Sequence, residues 1–268
     1  MDRQSDARRP TRTPSLALVA TGGGTGNGTA APAEPNTNPF VAHLLTLYSQ
    51  SRRSNAGTRG MDAWGESVYV ETALDRALLP AVLAGEFRLV LITGNAGDGK
   101  TAFLQHLEQE VARCGGSVDR RLPNGSRLEW QGRRYWLNHD GSQDEGGKDN
   151  SQVLLDFFAP FAGRDPARWP AAEIRLIAIN EGRLIDFLAA HDREFAALAG
   201  VVRRGFASGG TEAGIAVVNL NLRSVVADAE GGSILERALL RMTAAAHWAP
   251  CDHCDLNASC YALHNARS

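Results

Sequence analysis

Three absences narrow what this chain of 268 residues can be. No apolar run approaches the roughly 20 residues that a membrane-spanning helix needs, and the apolar stretch 16–20 is too short for the core of a signal peptide. Neither sign of charge dominates, because 28 Lys and Arg stand against 30 Asp and Glu for a net charge of −2. We therefore expect a cytoplasmic protein with no membrane partner, in which any contact with nucleic acid is a local patch.

Cysteine is also scarce, at four residues. Cys114 stands alone, and this distribution does not match the even framework of a secreted disulfide protein. Three thiols and an imidazole crowd the C-terminus at short spacings, at Cys251, Cys254, Cys260 and His264. Four such ligands can close a tetrahedron around Zn²⁺. The alternatives are an iron–sulfur cluster or three reduced cysteines packed as apolar residues.

The composition changes along the chain and suggests three parts. Residues 1–37 are rich in Gly, Thr, Pro, Asn and Ala, which is typical of a flexible tail or linker. Residues 38–248 alternate strand and helix patterns, so we expect one α/β domain with a mainly parallel sheet between helical layers. Residues 249–268 form the small Cys-rich segment, which we interpret as the start of a truncated lid or effector region. The chain itself then belongs to a longer polypeptide or a truncated gene product.

Hydrophobic periodicity places the main elements. Strands are predicted at 87–93, 173–180 and 214–221, and helices at 101–113, 152–158 and 233–247, with one or two more helices between 184 and 198. A β-hairpin turning at Gln131–Gly132 is expected as an insertion whose second strand joins the sheet. Two helices precede the first strand, one capped by Asn38 and one closed by Gly85, and we expect both to pack beside the sheet.

The most specific motif runs from Gly94 to Thr101 and fits G-x-x-x-x-G-K-[ST] in full: Gly94, Asn95, Ala96, Gly97, Asp98, Gly99, Lys100 and Thr101. Glycines allow the backbone N–H groups to fold around a phosphate. Lys100 neutralises phosphate charge, Thr101 supplies a hydroxyl to Mg²⁺, and the following helix adds its dipole. The motif predicts a site for a nucleoside triphosphate, ATP with Mg²⁺.

A carboxylate at the tip of a neighbouring strand is needed for hydrolysis. Glu181, directly after an apolar strand, is the preferred candidate, although it also suits the first turn of a helix. Alternatively, Asn180 senses the γ-phosphate and the acid is Asp140 or Asp144. Further contacts to the γ-phosphate or to a partner are expected at the tip of the last strand, from Asn219, Asn221 and Arg223.

Three segments carry a resemblance to a known class: 91–101 with its glycine loop, 177–184 ending in Asn-Glu-Gly-Arg-Leu, and 217–224 with Asn-Leu-Asn-Leu-Arg-Ser. Together they resemble the AAA+ and STAND-like P-loop ATPases, and more narrowly the ATPase modules of bacterial phage-defence proteins, of the phosphorothioation-dependent restriction and kinase-linked systems. The resemblance implies that Lys100 and Thr101 bind ATP-Mg²⁺, that Glu181 supports hydrolysis and that Asn221 is a sensor. It departs at Asn180, where that class has Asp.

Three functions follow from these features. The preferred one is an ATPase, an ATP-driven or ATP-gated switch in a defence or DNA-processing complex, with protein partners or fused domains. The second is a non-hydrolysing nucleotide-binding module that contacts protein or nucleic acid. The third is a small-molecule phosphotransferase with Arg203–Arg204 as its lid.

Overall fold

The computed structural model describes residues 36–44, 63–227 and 231–268. Residues 37–268 form one compact unit. The predicted tail lies, up to residue 35, outside the described residues, as does the predicted continuation of the first helix beyond residue 44. None of the helices in the described ranges combines the length and the apolar character that crossing a bilayer requires.

The sheet of the described residues has seven strands in the order β2-β3-β4-β5-β1-β7-β6. The strands are β1 (Leu89–Thr93), β2 (Ser117–Asp119), β3 (Gly125–Trp130), β4 (Arg133–Asn138), β5 (Glu173–Ile179), β6 (Gly210–Glu212) and β7 (Ile215–Asn219). The central four strands, β4, β5, β1 and β7, run parallel, and antiparallel strands complete both edges. Every residue of β1 is buried, as expected of a strand covered on both faces.

The described ranges contain ten α-helices, of which three precede β1. They are α1 (Pro39–Leu44), α2 (Ala63–Val68), α3 (Leu79–Ala84), α4 (Lys100–Arg113), α5 (Asn150–Phe158), α6 (Glu181–Ala190), α7 (Ala196–Ser208), α8 (Ile234–Met242), α9 (Ala245–Trp248) and α10 (Tyr261–Arg267). A π-helical turn, Leu74–Leu78, leads into α3, and five short 3₁₀ turns lie at Ala159–Phe161, Pro166–Arg168, Leu220–Leu222, Ala249–His253 and Asn257–Ser259.

Two apolar cores lie on opposite faces of the sheet. Leu89 and Leu91 of β1 point into the core formed with α5, α6 and α7. Val90 and Ile92, which alternate with them, point into the core formed with α3 and α4. The sheet therefore lies between two helical layers, which confirms the predicted α/β class. The three predicted strands appear as β1, β5 and β7.

The predicted β-hairpin is present as β3 and β4. Gln131 and Gly132 connect them with φ angles of 47° and 74°, and positive values at both central positions define the turn that matches the twist of a two-residue hairpin. β4 then pairs in parallel with β5, so the second strand of the hairpin joins the sheet as expected. A shorter strand, β2, extends this edge and was not predicted.

The first helix packs differently from the prediction. Asn38 caps α1 by accepting a hydrogen bond from the Phe40 N–H (2.9 Å), and its Nδ2 donates to the His247 carbonyl (2.8 Å). Phe40 packs with Trp248 and Leu263. The expectation that α1 lies beside the sheet is therefore wrong, because its apolar face is used by the C-terminal segment. The predicted helix 233–247 is interrupted as α8 and α9, with Thr243 ending α8.

Candidate functional site

The loop between β1 and α4 is shaped by glycine. Gly97 and Gly99 have φ angles of 89° and 85°, a region that favours glycine because a side chain would crowd the backbone. A Cβ built on either residue meets nothing within 4 Å, so their Cα positions face open space. At Gly94, by contrast, a Cβ would come within 2.7 Å of the Asp98 carboxylate. The loop thus approaches itself at its start and opens at its centre.

Several backbone N–H groups of the loop lack a backbone acceptor within the described ranges. The Asp98 N–H donates to the Asn95 carbonyl (3.3 Å) and the Phe103 N–H to the Gly99 carbonyl (3.0 Å). In the described part of the chain, no backbone acceptor pairs with the N–H groups of four residues between and around them: Gly97, Gly99, Lys100 and Thr101. These donors stand at the N-terminus of the 14-residue helix α4. Unpaired amides and a helix dipole at one point form a site that favours an anion.

Lys100 folds its side chain back over the loop. Its Nζ donates to the carbonyl oxygens of Gly94 (2.9 Å) and Asn95 (2.7 Å). Burial lowers the pKa of the Lys100 ammonium, while the carboxylates of Asp98 and Asp140 act in the opposite direction. The Asp98 carboxylate accepts from the Asn95 N–H (2.5 Å), so it is bonded within the loop. The Lys100 ammonium is thereby held at the start of the loop.

Thr101 connects the loop to β4. Its hydroxyl donates to the main-chain oxygen of His139 (3.0 Å), directly before Asp140. The Asp140 carboxylate accepts from the Ser142 N–H (2.9 Å) and from the Gln143 amide (3.0 Å). Of the two alternative acids, Asp140 therefore lies at the loop. Asp144 instead accepts from the Asn150 N–H (2.8 Å), at the start of α5.

Glu181 occupies the tip of β5, beside β7 rather than β4. Its Oε2 accepts from the amides of Asn219 (3.2 Å) and Asn221 (3.1 Å). Glu181 therefore contacts two of the three residues that we expected at the tip of the last strand. Glu181 is also the first residue of α6, whose N-cap is Asn180. The Asn180 side chain accepts from the N–H groups of Gly182 (2.9 Å) and Arg183 (3.4 Å), so it is engaged in capping the helix.

Arg223 reaches the loop from the segment after β7. Its guanidinium donates to the Asp98 carbonyl (2.9 Å), and its buried Nε has no hydrogen-bond partner in the described residues. Arg204 is not placed as the predicted lid, because its guanidinium is bonded to Glu212 of β6 (2.6 Å). That pairing places its guanidinium at the sheet edge formed by β6.

Sequence patterns gave no indication of a buried network beneath the loop. Glu108 of α4 accepts from His139 Nε2 (2.7 Å), Ser126 Oγ (2.6 Å) and Arg120 Nε (2.7 Å). Burial raises the pKa of the Glu108 carboxyl, but the three donors together lower it by more. The net shift of this pKa is therefore downward. Glu108 follows Thr101 by two helical turns, so the same face of α4 contacts both the carbonyl and the imidazole of His139. The spacing of Thr101 and Glu108 was visible in the sequence, but their shared partner, the residue directly after β4, was not.

The predicted zinc ligands are not brought together. Within the described ranges, no group of three or more His, Cys, Asp or Glu side chains is arranged to hold a metal ion. Cys251 is buried with Phe40 and Leu263, and its Sγ accepts from Asn38 Nδ2 (3.1 Å). In this arrangement the residues of the described ranges do not form a zinc site.

The fold and the loop together define an α/β protein whose central parallel strand ends in a glycine-rich loop lined with backbone donors. Comparisons of the chain with protein-family models, with curated proteins and with solved structures find no match.

Proposed function

We propose that this chain binds ATP with Mg²⁺ through the Gly94–Thr101 loop and acts as an ATP-driven or ATP-gated switch. The observation that carries the proposal is the set of backbone N–H groups left without backbone acceptors at the start of α4. Phosphate oxygens are the acceptors that such a cradle fits, because they are anionic and accept several hydrogen bonds at once. Any other residue at position 97 would have to adopt the strained left-handed backbone conformation that Gly97 has.

Lys100 supplies the mobile cation of the proposed site. Its ammonium can exchange the carbonyls of Gly94 and Asn95 for the β- and γ-phosphate oxygens. Arg223 is bonded to the Asp98 carbonyl, and its buried Nε has no hydrogen-bond partner in the described residues. Phosphate binding therefore changes hydrogen bonds at both ends of the loop, which is the kind of local rearrangement that a nucleotide switch uses.

Asp140 is the acid that the geometry supports for the metal. When bound, Mg²⁺ supplies positive charge that stabilises the phosphates. Thr101 presents its hydroxyl beside the end of β4, and the Asp140 charge acts on Lys100. This favours the alternative assignment over Glu181, whose carboxylate lies at β7. Glu181, held by Asn219 and Asn221, is then suited to orienting the attacking water.

A second candidate, a nucleotide-binding module without turnover, is favoured by one specific observation. The Oε2 of Glu181 accepts from two side-chain amides, of Asn219 and Asn221. A carboxylate already paired in this way is a weaker acceptor for a water proton. Tight ATP binding without phosphate release would support this candidate. The role in a defence or DNA-processing complex, with protein partners, rests on the resemblance of the three segments and belongs to the proposal.

The first experiment compares ATP binding in the wild-type chain, Lys100→Ala and Arg113→Ala by calorimetry with Mg²⁺ present. Arg113 is a matched control, since it is a cation at the opposite end of α4, paired with Glu110. We expect Lys100→Ala to weaken binding about 10- to 100-fold, the value of hydrogen bonds to a charged group, and Arg113→Ala to leave it unchanged. Equal affinity in all three proteins would refute the site.

A further inference from the structure

A cavity lies next to α5, at the β3–β4–β5 side of the sheet. Its volume is about 360 Å³, within the range of pockets that hold small ligands. Its walls come from β3, β4, β5, α5 and the segment between β4 and α5. The function proposed above does not use this cavity.

One wall is a row of planar groups in register across three strands. Arg127 of β3 lies opposite Trp136 of β4, which lies opposite Arg175 of β5. The Arg127 guanidinium is 3.9 Å from the centre of the Trp136 ring, and that of Arg175 is 5.0 Å away. Arg127 is exposed, and its charge acts on the Asp119 carboxylate, which lies opposite it on β2. Guanidinium and indole planes of this kind are surfaces on which unstacked nucleobases are held.

A second wall presents an amide acceptor and an amide donor. Asn124 and Asn138 line the cavity and are 6% and 4% exposed. Asn124 uses its Nδ2 to donate to the Asp140 carbonyl (2.7 Å), and Asn138 uses its Oδ1 to accept from the Asp140 N–H (3.1 Å). The other half of each amide, Oδ1 of Asn124 and Nδ2 of Asn138, has no partner in the described part of the chain. Neither atom is among the fully buried atoms without a partner, so both are accessible to a ligand or to water.

The charges favour a stacking ligand over a simple anion. Arg175 is neutralised by Glu173 (2.6 Å) and Lys148 by Asp156 (2.5 Å). The acid on which Arg127 acts, Asp119, does not line the cavity, and the Arg127 guanidinium lies over the Trp136 ring. A planar ligand with a donor and an acceptor on one edge fits this arrangement better than a phosphate or a carboxylate.

We propose that this cavity is a second binding site, for a nucleobase that stacks on Arg127 and Trp136 and pairs its edge with Asn124 and Asn138. The base comes either from a free nucleoside or from a single-stranded nucleic acid, which present the same chemistry. Because the two asparagines also hold both main-chain groups of Asp140, occupancy of the cavity acts on that residue. This second clause rests on the proposed role of Asp140 in the nucleotide site, whereas base binding does not.

The test titrates the full chain with adenosine, guanosine, cytidine and uridine, and separately with a short single-stranded DNA, in the presence of saturating ATP and Mg²⁺. Binding is measured by calorimetry for the wild-type chain, Arg127→Ser, Trp136→Leu and the control Arg134→Ser. Arg134 is an exposed arginine of β4, the strand of Trp136, and its guanidinium lies 3.9 Å from the Glu173 carboxylate. We expect Arg127→Ser and Trp136→Leu to weaken binding about 5- to 150-fold, as for the loss of one stacking contact, and Arg134→Ser to leave it unchanged.

Binding of nucleosides identifies a free base as the ligand, and binding of the oligonucleotide alone identifies a strand; either result supports the site. No binding of any probe, or equal binding by all four proteins, would overturn it. The coupling is tested by phosphate release, which the bound probe should change in the wild-type chain but not in Trp136→Leu. If ATP itself fails to bind, the nucleotide proposal fails while the stacking variants still decide the cavity.

Discussion

The hydroxyl of Thr101 donates a hydrogen bond to the main-chain oxygen of His139, 3.0 Å away. The two residues follow β1 and β4, and β5 separates these strands in the sheet. The contact therefore spans the tip of an intervening strand and brings Asp140 to the start of α4. Glu181, at the tip of the intervening strand, turns to the other side, toward β7.

This arrangement predicts different consequences for the two acids. Asp140→Asn should lower ATP turnover and raise the Mg²⁺ concentration needed for half-maximal rate, each about 10- to 100-fold, as for loss of a group that supports a metal. Glu181→Gln should lower turnover without changing the Mg²⁺ requirement. Phosphate release measured over a Mg²⁺ series separates the two.

The control for this pair is Asp144→Asn. Asp144 bonds to the Asn150 N–H, so its loss should leave turnover and Mg²⁺ dependence unchanged. A raised Mg²⁺ requirement in Asp144→Asn or Glu181→Gln, with Asp140→Asn unaffected, would contradict the assignment.

The glycine loop predicts a separation of stability from binding. Gly97→Ala should cost about 1–2 kcal/mol of unfolding free energy, because φ is 89°, and should also weaken ATP binding. Gly163→Ala is the matched control, since its φ is 94° and a Cβ there likewise meets nothing within 4 Å. It should lose similar stability and keep ATP affinity. Urea unfolding and ATP titration measure both quantities, and equal affinity of the two variants would count against the cradle.

The Glu108 network predicts a defined pH dependence. The carboxyl pKa is lowered from 4.5 in the fold, so its contribution is present above that pH and disappears as the pH falls through the lower native pKa. Glu108→Gln should lower the unfolding free energy by about 1.5–3 kcal/mol at pH 7, and the difference from wild type should shrink below pH 4.5. Urea unfolding over a pH series measures it.

Glu110→Gln serves as the comparison for Glu108→Gln. Glu110 pairs with the exposed Arg113 on the same helix, and a surface pair contributes about 0–1 kcal/mol. A loss in Glu110→Gln as large as that in Glu108→Gln would show that the buried contacts to His139, Ser126 and Arg120 are not the cause.

The C-terminal cysteines predict no response to chelation. Cys251 packs as an apolar residue with Phe40, Trp248 and Leu263, so EDTA should leave the thermal unfolding midpoint unchanged. Metal analysis of the same sample should give zinc well below one ion per chain. A fall in the midpoint on adding EDTA, restored by Zn²⁺, would instead support the four-ligand site expected from the sequence.

Features fixed by neighbouring residues could be predicted from the sequence. The turn at Gln131–Gly132, the strand 87–93 and the helix after Lys100 all follow from local periodicity and turn chemistry. Features fixed by distant pairing could not. Each candidate acid follows an apparent strand, and only the order of strands in the sheet decides which acid approaches the loop. The sequence therefore preferred Glu181, and Asp140 remained an alternative.

Short strands and the packing partner of α1 were also not predictable from the sequence. β2 and β6 have three residues each, too few for alternation to be detected. The position of α1 depends on Phe40 finding Trp248, a contact between the two ends of the unit. Apolar periodicity indicates that a face is covered but not which element covers it.

The Lys100 ammonium donates to two oxygen atoms of the chain, the carbonyls of Gly94 and Asn95. Affinity for a phosphate at this residue therefore measures an exchange of neutral acceptors for charged ones rather than the making of new bonds. An uncharged mimic of the triphosphate offers nothing in that exchange. We therefore expect the proposed site to discriminate against such ligands through the resting conformation of the Lys100 side chain.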